Sequence, residues 1–440
     1  MKRPKLTWLH EELPKLVEAG VLTAEAAEGI RQHYGPIRPG MSLSRVAVIL
    51  FGILGAALVG AGVILLLAHN WEEFSRTTRT GLAFAPLLAG QIIAGWVLLH
   101  RRESTAWCEG SAVFLTAAIG ACIALIAQTY QIPGDLAGFL FTWLWLGIPL
   151  VYLLRSTAVA ILFQVGATAW AGAEQAQGGH ALWYWPLLAT VLPYLWQVHR
   201  EQRHGPRALL LGWVFCLNSC VALGIVLEKT VPGLWIPIYG GLFAVYYAIG
   251  RKGYRDTPFQ PYTLVACAGT VVLSLLFTYD FAWDEIGWRH YRYGGQFWAW
   301  AAAQDYVLTV LLLSLAVIFL VWRLRQRDWV VLPWLALPLL ALVGYLLACF
   351  GESEAASMAI FNGYLLVLGL SGIATGVRAG SLAVTNGGMA TLAALFIARF
   401  FDSELSFTFR GIGFILIGAG FLAANAAFVR RMRKHKGAMP

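Results

Sequence analysis

Near its C-terminal end the chain reads Arg399-Phe400-Phe401-Asp402, an arginine and an aspartate three residues apart that share one face of a helix at ion-pairing distance. Two earlier stretches carry groups of the same kind. One is His69-Asn70-Trp71-Glu72-Glu73-Phe74-Ser75-Arg76-Thr77-Thr78-Arg79, and the other is Gln128-Thr129-Tyr130-Gln131-Ile132-Pro133-Gly134-Asp135. Guanidinium groups at Arg76, Arg79, Arg399 and Arg410 are suited to bidentate recognition of anions. With Asn70, Trp71, Gln128, Tyr130, Asp135 and Asp402 they make a candidate substrate-binding set for an anion or a sugar headgroup. The pattern predicts a shallow shared cavity in which Gln128, Tyr130 and Asp135 face the Arg399–Asp402 pair. The alternative is that these charges cap helix ends and anchor them among lipid headgroups.

Other chemistry is sparse. No nucleophile–base pair stands out, so no catalytic residue is assigned, and no cofactor is expected. His69, His180 and His290 lie in separate connections and form no metal triad. Cysteines 108, 122, 216, 220, 267 and 349 sit mostly inside apolar runs at no metal-ligand spacing, as small packing residues do. The middles of the apolar runs carry amides and hydroxyls but no charge: Gln91, Gln164, Asn218, Ser219, Asn362, Asn386 and Asn425. Their absence of charge weakens any scheme in which a midplane carboxylate moves protons or cations. Each amide reads first as a link between helices, while Gln91, Asn362 and Asn386 remain the alternative midplane site.

The elements that must position these groups are apolar runs of membrane-spanning length. Fourteen are visible, at about 46–69, 81–99, 109–128, 137–154, 157–173, 182–198, 208–227, 234–250, 259–279, 304–322, 329–349, 357–376, 381–400 and 411–429. The expected fold is therefore an all-α polytopic bundle. Numbering the connections in turn places 25 of the 32 basic residues with the two termini and the even connections. By the positive-inside rule both termini are cytoplasmic, N-in and C-in. Only 12% of residues are charged and 59% are hydrophobic, against about 25% charged in a soluble domain. The net charge of +9 resides in short loops beside apolar helices, where it sets orientation and contacts anionic lipid, which argues against nucleic acid as a partner.

Residues 1–44 read as a cytoplasmic helical hairpin. Leu6, Leu9, Leu13, Leu16 and Val17 recur at helical spacing, Gly20 stops the first helix, and Thr23 caps a second that carries Ala26, Ala27 and Ile30. Its apolar stripe docks on the bundle or the lipid surface, or recruits a soluble partner. The transmembrane region follows over 45–430, and 431–440 form a basic tail. No cleavable leader is expected, because the first long apolar run begins at Val46. Gly52, Ala56 and Gly60, and again Gly372 and Gly376, form small-residue ridges for close helix packing. The external stretch 280–304 holds Phe281, Trp283, Trp288 and Trp300, which predicts a surface segment anchored at the interface.

Several of these motifs carry a resemblance. Leu67-Ala68-His69-Asn70-Trp71, the pair Gln128 and Tyr130 before Gly134-Asp135, the run from Trp145 to Arg155, and Arg399-Phe400-Phe401-Asp402 with Arg410-Gly411-Ile412-Gly413-Phe414 are similar to the bacterial membrane-protein family called domain of unknown function 2157. The resemblance implies a multi-pass protein of the bacterial inner membrane and supplies no catalytic residues. A fainter echo relates Gly110-Ser111-Ala112-Val113 and the Gln128 end of that run to Gly380-Ser381-Leu382-Ala383-Val384 and the Arg399 end of its own, a possible repeat of 45–155 in 329–430. The functional classes left are a transporter- or flippase-like protein, a membrane assembly or sensing factor acting through the hairpin, and an enzyme on a lipid-linked or periplasmic substrate.

Overall fold

The computed structural model describes residues 12–14, 16–34, 73–201, 203–227, 231, 233–253, 259–283, 300–350 and 355–400, with isolated positions between 408 and 426. The chain divides into two compact units, Met1–Arg79 and Thr80–Pro440. In the first, residues 12–14 and 16–18 are helical, and Gly20 turns the chain with φ +69, a conformation that costs glycine no steric strain. The Thr23 hydroxyl then accepts from the Ala26 amide at 3.2 Å and starts α1 (Ala24–Tyr34). Leu13 and Ala27 are buried. The described residues of 12–34 thus read helix, turn, helix.

Every apolar run from the second to the thirteenth is helical, the eleventh in two pieces. The helices are α2 (Arg76–His100), α3 (Thr105–Tyr130), α4 (Leu136–Leu153), α5 (Thr157–Ala176), α6 (Tyr184–Glu201) and α7 (Pro206–Val226). They continue as α8 (Trp235–Gly253), α9 (Pro261–Leu276), α10 (Ala303–Arg325), α11 (Leu332–Leu335), α12 (Leu337–Phe350), α13 (Ala355–Ala379) and α14 (Leu382–Phe400). No strand occurs among the described residues. The first run, 46–69, and with it the ridge of Gly52, Ala56 and Gly60, lies outside the described residues, and the last run is described only at scattered helical positions.

Seven of these helices, α2, α3, α4, α7, α10, α13 and α14, are long and apolar enough to cross a membrane. The protein is a multi-pass membrane protein. The helices that fall short include α5 and α8, each of which gathers several others around it. Around α5 gather α3, α4, α6 and α7, and around α8 gather α9, α10, α11 and α12. A helix walled in by its neighbours has no lipid to satisfy, so small and polar-aromatic residues replace long aliphatics: Gly240, Gly241, Tyr246 and Tyr247 of α8 are all buried. At the opposite extreme, the most apolar stretch of α10 has a mean hydropathy of 2.5 and only 6% of it is buried. Its apolar side chains face outward, as lipid contact requires.

The buried amides behave as links. Asn218 of α7 donates to the Gln164 carbonyl of α5 at 3.1 Å, and Gln304 of α10 donates to the Val226 carbonyl at 2.8 Å while accepting from Trp185 Nε1 at 3.0 Å. Asn362 instead bonds within its own helix, to Met358 O at 2.8 Å. Gln91 and Asn386 are exposed on the described helices, and Asn425 lies outside them.

Trp283 corrects the expectation of an aromatic surface segment. It is fully buried, with its ring 5.1 Å from Phe277 and 5.8 Å from Phe361, and its indole N–H donates to Phe277 O at 3.0 Å. Once a partner carbonyl takes up the indole N–H, the large ring gains more in the core than at the interface. Residues 284–299 lie outside the described residues, whereas Phe281 and Trp300 are exposed.

Candidate functional site

Arg399 occupies the last turn of α14, which packs on α13 and on the end of α9. Its Nη2 donates to Thr278 Oγ1 at 3.1 Å, and its guanidinium carbon stands 4.5 Å from the centre of the Tyr279 ring. Tyr279 Oη in turn donates to the Ala398 carbonyl at 3.1 Å. The two helix ends therefore hold each other through a cation–π contact and two hydrogen bonds. Such a contact contributes roughly 0.5–2 kcal/mol, more as water is excluded. Beneath it lies the aromatic cluster of Phe277, Trp283 and Phe361, and Thr278 itself is fully buried. Thr278 and Tyr279 could not be paired with Arg399 from sequence, because the pairing spans more than a hundred residues. Asp402 lies outside the described residues.

The second predicted stretch is built at the turn between α3 and α4. Gln131 ends α3 in the left-handed region at φ 52, and Asp135 starts α4 by accepting from Gly138 N at 2.6 Å. Asp135 thus serves as a helix N-cap, the alternative role for these charges. Gln128 and Tyr130 are exposed, and Tyr130 Oη lies 3.0 Å from Thr80 Oγ1. This turn belongs to the α5-centred group of helices, and Arg399 belongs with α9 and α13. At the start of α2, Ser75 Oγ accepts from Thr78 N at 3.2 Å and Arg79 Nε donates to Phe74 O at 3.0 Å, while Arg76 is exposed. Asn70, Trp71 and Arg410 lie outside the described residues.

The opposite end of α3 carries a polar site that hydropathy alone conceals. Glu109 sits one turn into α3 and reaches the start of α5. Its carboxylate accepts from Ser156 Oγ at 2.5 Å, from Thr157 N at 2.9 Å and from Ala158 N at 3.0 Å, so it closes the N-terminus of the hub helix. Ser156 completes the cap by accepting from Val159 N at 3.2 Å. Residues 14–160 match the family described as Predicted membrane protein (DUF2157). The matched segment takes in α1, the α3–α4 turn and the whole Glu109–Ser156 contact, and it stops before Arg399. No curated protein and no solved structure matches the chain.

Beside Glu109 opens a cleft of ≈ 400 Å³ lined by Arg102, Glu103, Cys108, Leu154, Arg155 and Arg207 among others. Two of these loop arginines are fixed through their backbones. Cys108 Sγ donates to Arg102 O at 3.3 Å, and Tyr194 Oη donates to Arg155 O at 2.9 Å. A sequence signal for this site did exist: Glu109 is a carboxylate at the margin of an apolar run, and Ser156-Thr157 directly before another run reads as an N-cap.

Proposed function

We propose that this membrane protein is transporter- or flippase-like, with fourteen spans, both termini in the cytoplasm, and a bacterial inner-membrane location. The observation that carries the reading is the break in the eleventh apolar run. That run divides at Ala336 into α11 and α12, and the break packs against α8, where a Cβ on Gly240 would stand 3.1 Å from Pro338 Cα. Tyr364 of α13 donates to Pro333 O at 2.8 Å and takes up a carbonyl at the break. A groove of ≈ 510 Å³ opens beside it, lined by Leu320, Trp329, Leu332, Leu340, Ile360 and Tyr364 among others. Broken helices are a feature of transporter binding sites, and an apolar lateral groove suits an acyl chain. The polar groups at the outer helix ends, Gln128, Tyr130, Asp135 and Arg399 with Asn70, Trp71, Arg76, Arg79 and Asp402, are then contacts for a headgroup.

Proteoliposomes carrying a headgroup-labelled fluorescent phospholipid provide the test. Protein-containing vesicles should expose inner-leaflet label to an impermeant quencher, and Tyr364→Phe should slow that exposure several-fold; label that stays protected in both samples sinks the proposal. The second reading, assembly or sensing through the hairpin, draws on the separation of residues 1–79 as a compact unit. Deletion of residues 2–40 should leave insertion and lipid exposure intact, and loss of exposure alone would favour the second reading.

The orientation has its own check. Single cysteines at Glu103, Arg203 and Lys252 in a cysteine-free background should resist impermeant maleimide in whole cells, while those at Glu73, Glu174 and Glu354 should react. Reaction at Arg203 or Lys252 would overturn the fourteen-span arrangement.

A further inference from the structure

We propose that the cleft between the α2–α3 and α6–α7 connections and the α4–α5 turn is a binding site for a phosphate ester, drawn from the headgroup of an anionic phospholipid or from a soluble phosphate. Arg102, Arg155 and Arg207 all line it. None of the three makes an ion pair among the described residues. One carboxylate of the lining, Glu109, is already held by Ser156, Thr157 and Ala158 at the start of α5. The one other acid on the lining is Glu103, which is exposed, as are Arg102 and Arg155, while Arg207 is half-buried. Three guanidinium groups share the lining with two carboxylates, one of them turned toward a helix terminus, which leaves the cleft net positive toward an incoming anion. Arg155 comes from the α4–α5 turn and Arg207 from the first turn of α7, so charges from separate elements line one cleft.

The backbone adds a second, independent observation. Arg155 sits in the left-handed region at φ 48, where glycine is at ease and a long side chain is strained. The turn from α4 to α5 would form more cheaply with glycine, yet it presents a guanidinium over the cleft, with its carbonyl pinned by Tyr194. Leu154, nearly wholly buried, closes the floor. Arginine is the side chain suited to phosphate, since its planar fork offers paired donors to two oxygens. A basic pocket between helices at the end of a bundle where positive charge collects is where lipid phosphates lie in a bilayer. At ≈ 400 Å³ the cleft admits a glycerophosphate headgroup and more than a bare phosphate ion. This site is separate from the outer-end cluster and from the groove beside α11, so it does not depend on the transport reading.

The test uses the full chain, purified in neutral detergent, and reads melting temperature and binding as lipid is titrated. Phosphatidylglycerol should raise the melting temperature saturably, whereas phosphatidylcholine of the same chain length should not. Arg155→Gly removes the guanidinium and relieves the strained φ, so the lipid-free protein should melt no lower than wild type while affinity for phosphatidylglycerol falls about tenfold or more. Arg102→Gln with Arg207→Gln should do the same. Arg200→Gln with Arg203→Gln, at the same end of the bundle but outside this cleft, should bind as wild type. If glycerol phosphate alone reproduces the saturable rise and the cleft variants abolish it, the source is a soluble phosphate ester. If the rise is equal for both lipids, or survives intact in Arg155→Gly and the double variant, the site does not exist.

Discussion

Gly388→Ala should lower the detergent melting temperature sharply, while Gly387→Ala, one residue earlier in the same helix, should leave it unchanged or raise it. Helices α13 and α14 make the most extensive pairing among the described helices. A Cβ on Gly388 would stand 2.6 Å from both Gly369 O and Ile373 N and 2.9 Å from Gly372 C. All three atoms are backbone, so no rotamer change relieves the clash and one helix must shift. Overpacking of this kind costs about 1–3 kcal/mol. Gly387 has open space around its Cβ position, so alanine there brings only its better helix propensity, up to about 1 kcal/mol. Gly376→Ala should resemble Gly388→Ala, because its Cβ would fall 2.7 Å from Thr385 Cα. Equal melting curves for the two neighbouring glycine variants would refute the contact. The sequence ridge of Gly372 and Gly376 is thus realised as a helix–helix seam, since a Cβ on Gly372 would stand 3.1 Å from Gly388 Cα.

Positions of helices were legible because each apolar run is long, continuous and bounded by charge or by glycine and proline, as at Gly205-Pro206 before α7. What lies between helices was much less so. The eleventh run reads as one span because Leu332 to Phe350 is apolar throughout, and its break depends on Pro333 and Pro338 finding partners on α13 and α8. Trp283 misled for a related reason: tryptophan suits both an interface and a core, and only the distant Phe361 decides between them. In the candidate site, Asp135 was visible as a polar residue ahead of a helix, and its role as a cap follows from that position. The Thr278 and Tyr279 partners of Arg399 were not visible, because no local pattern links positions more than a hundred residues apart. Glu109 was readable in principle and was lost among residues assigned to a run by hydropathy alone.

That carboxylate should prove among the costliest single residues to remove. Glu109→Ala leaves Ser156 Oγ, Thr157 N and Ala158 N without their acceptor, at the entrance to the helix that α3, α4, α6 and α7 all contact. A hydrogen bond to a charged group contributes about 1.5–3 kcal/mol, and the helix dipole adds roughly 0.3–1 kcal/mol for a negative charge at that end. Water entering from the adjoining cleft can replace part of this, so the expected loss is about 2–4 kcal/mol rather than the full sum. Glu109→Asp should recover little, because the shorter side chain withdraws from all three donors. Glu109→Gln should fall between, since it keeps one acceptor oxygen and directs an amide N–H₂ toward donors. Ser156→Ala removes one of the three donors together with the Val159 cap and should cost about 1 kcal/mol on its own. In the double change the two losses should not add, because they share the Ser156–Glu109 bond. Unfolding curves in mixed detergent for the four proteins of that cycle would measure the coupling, and a coupling energy near zero would mean that Glu109 does not hold the start of α5.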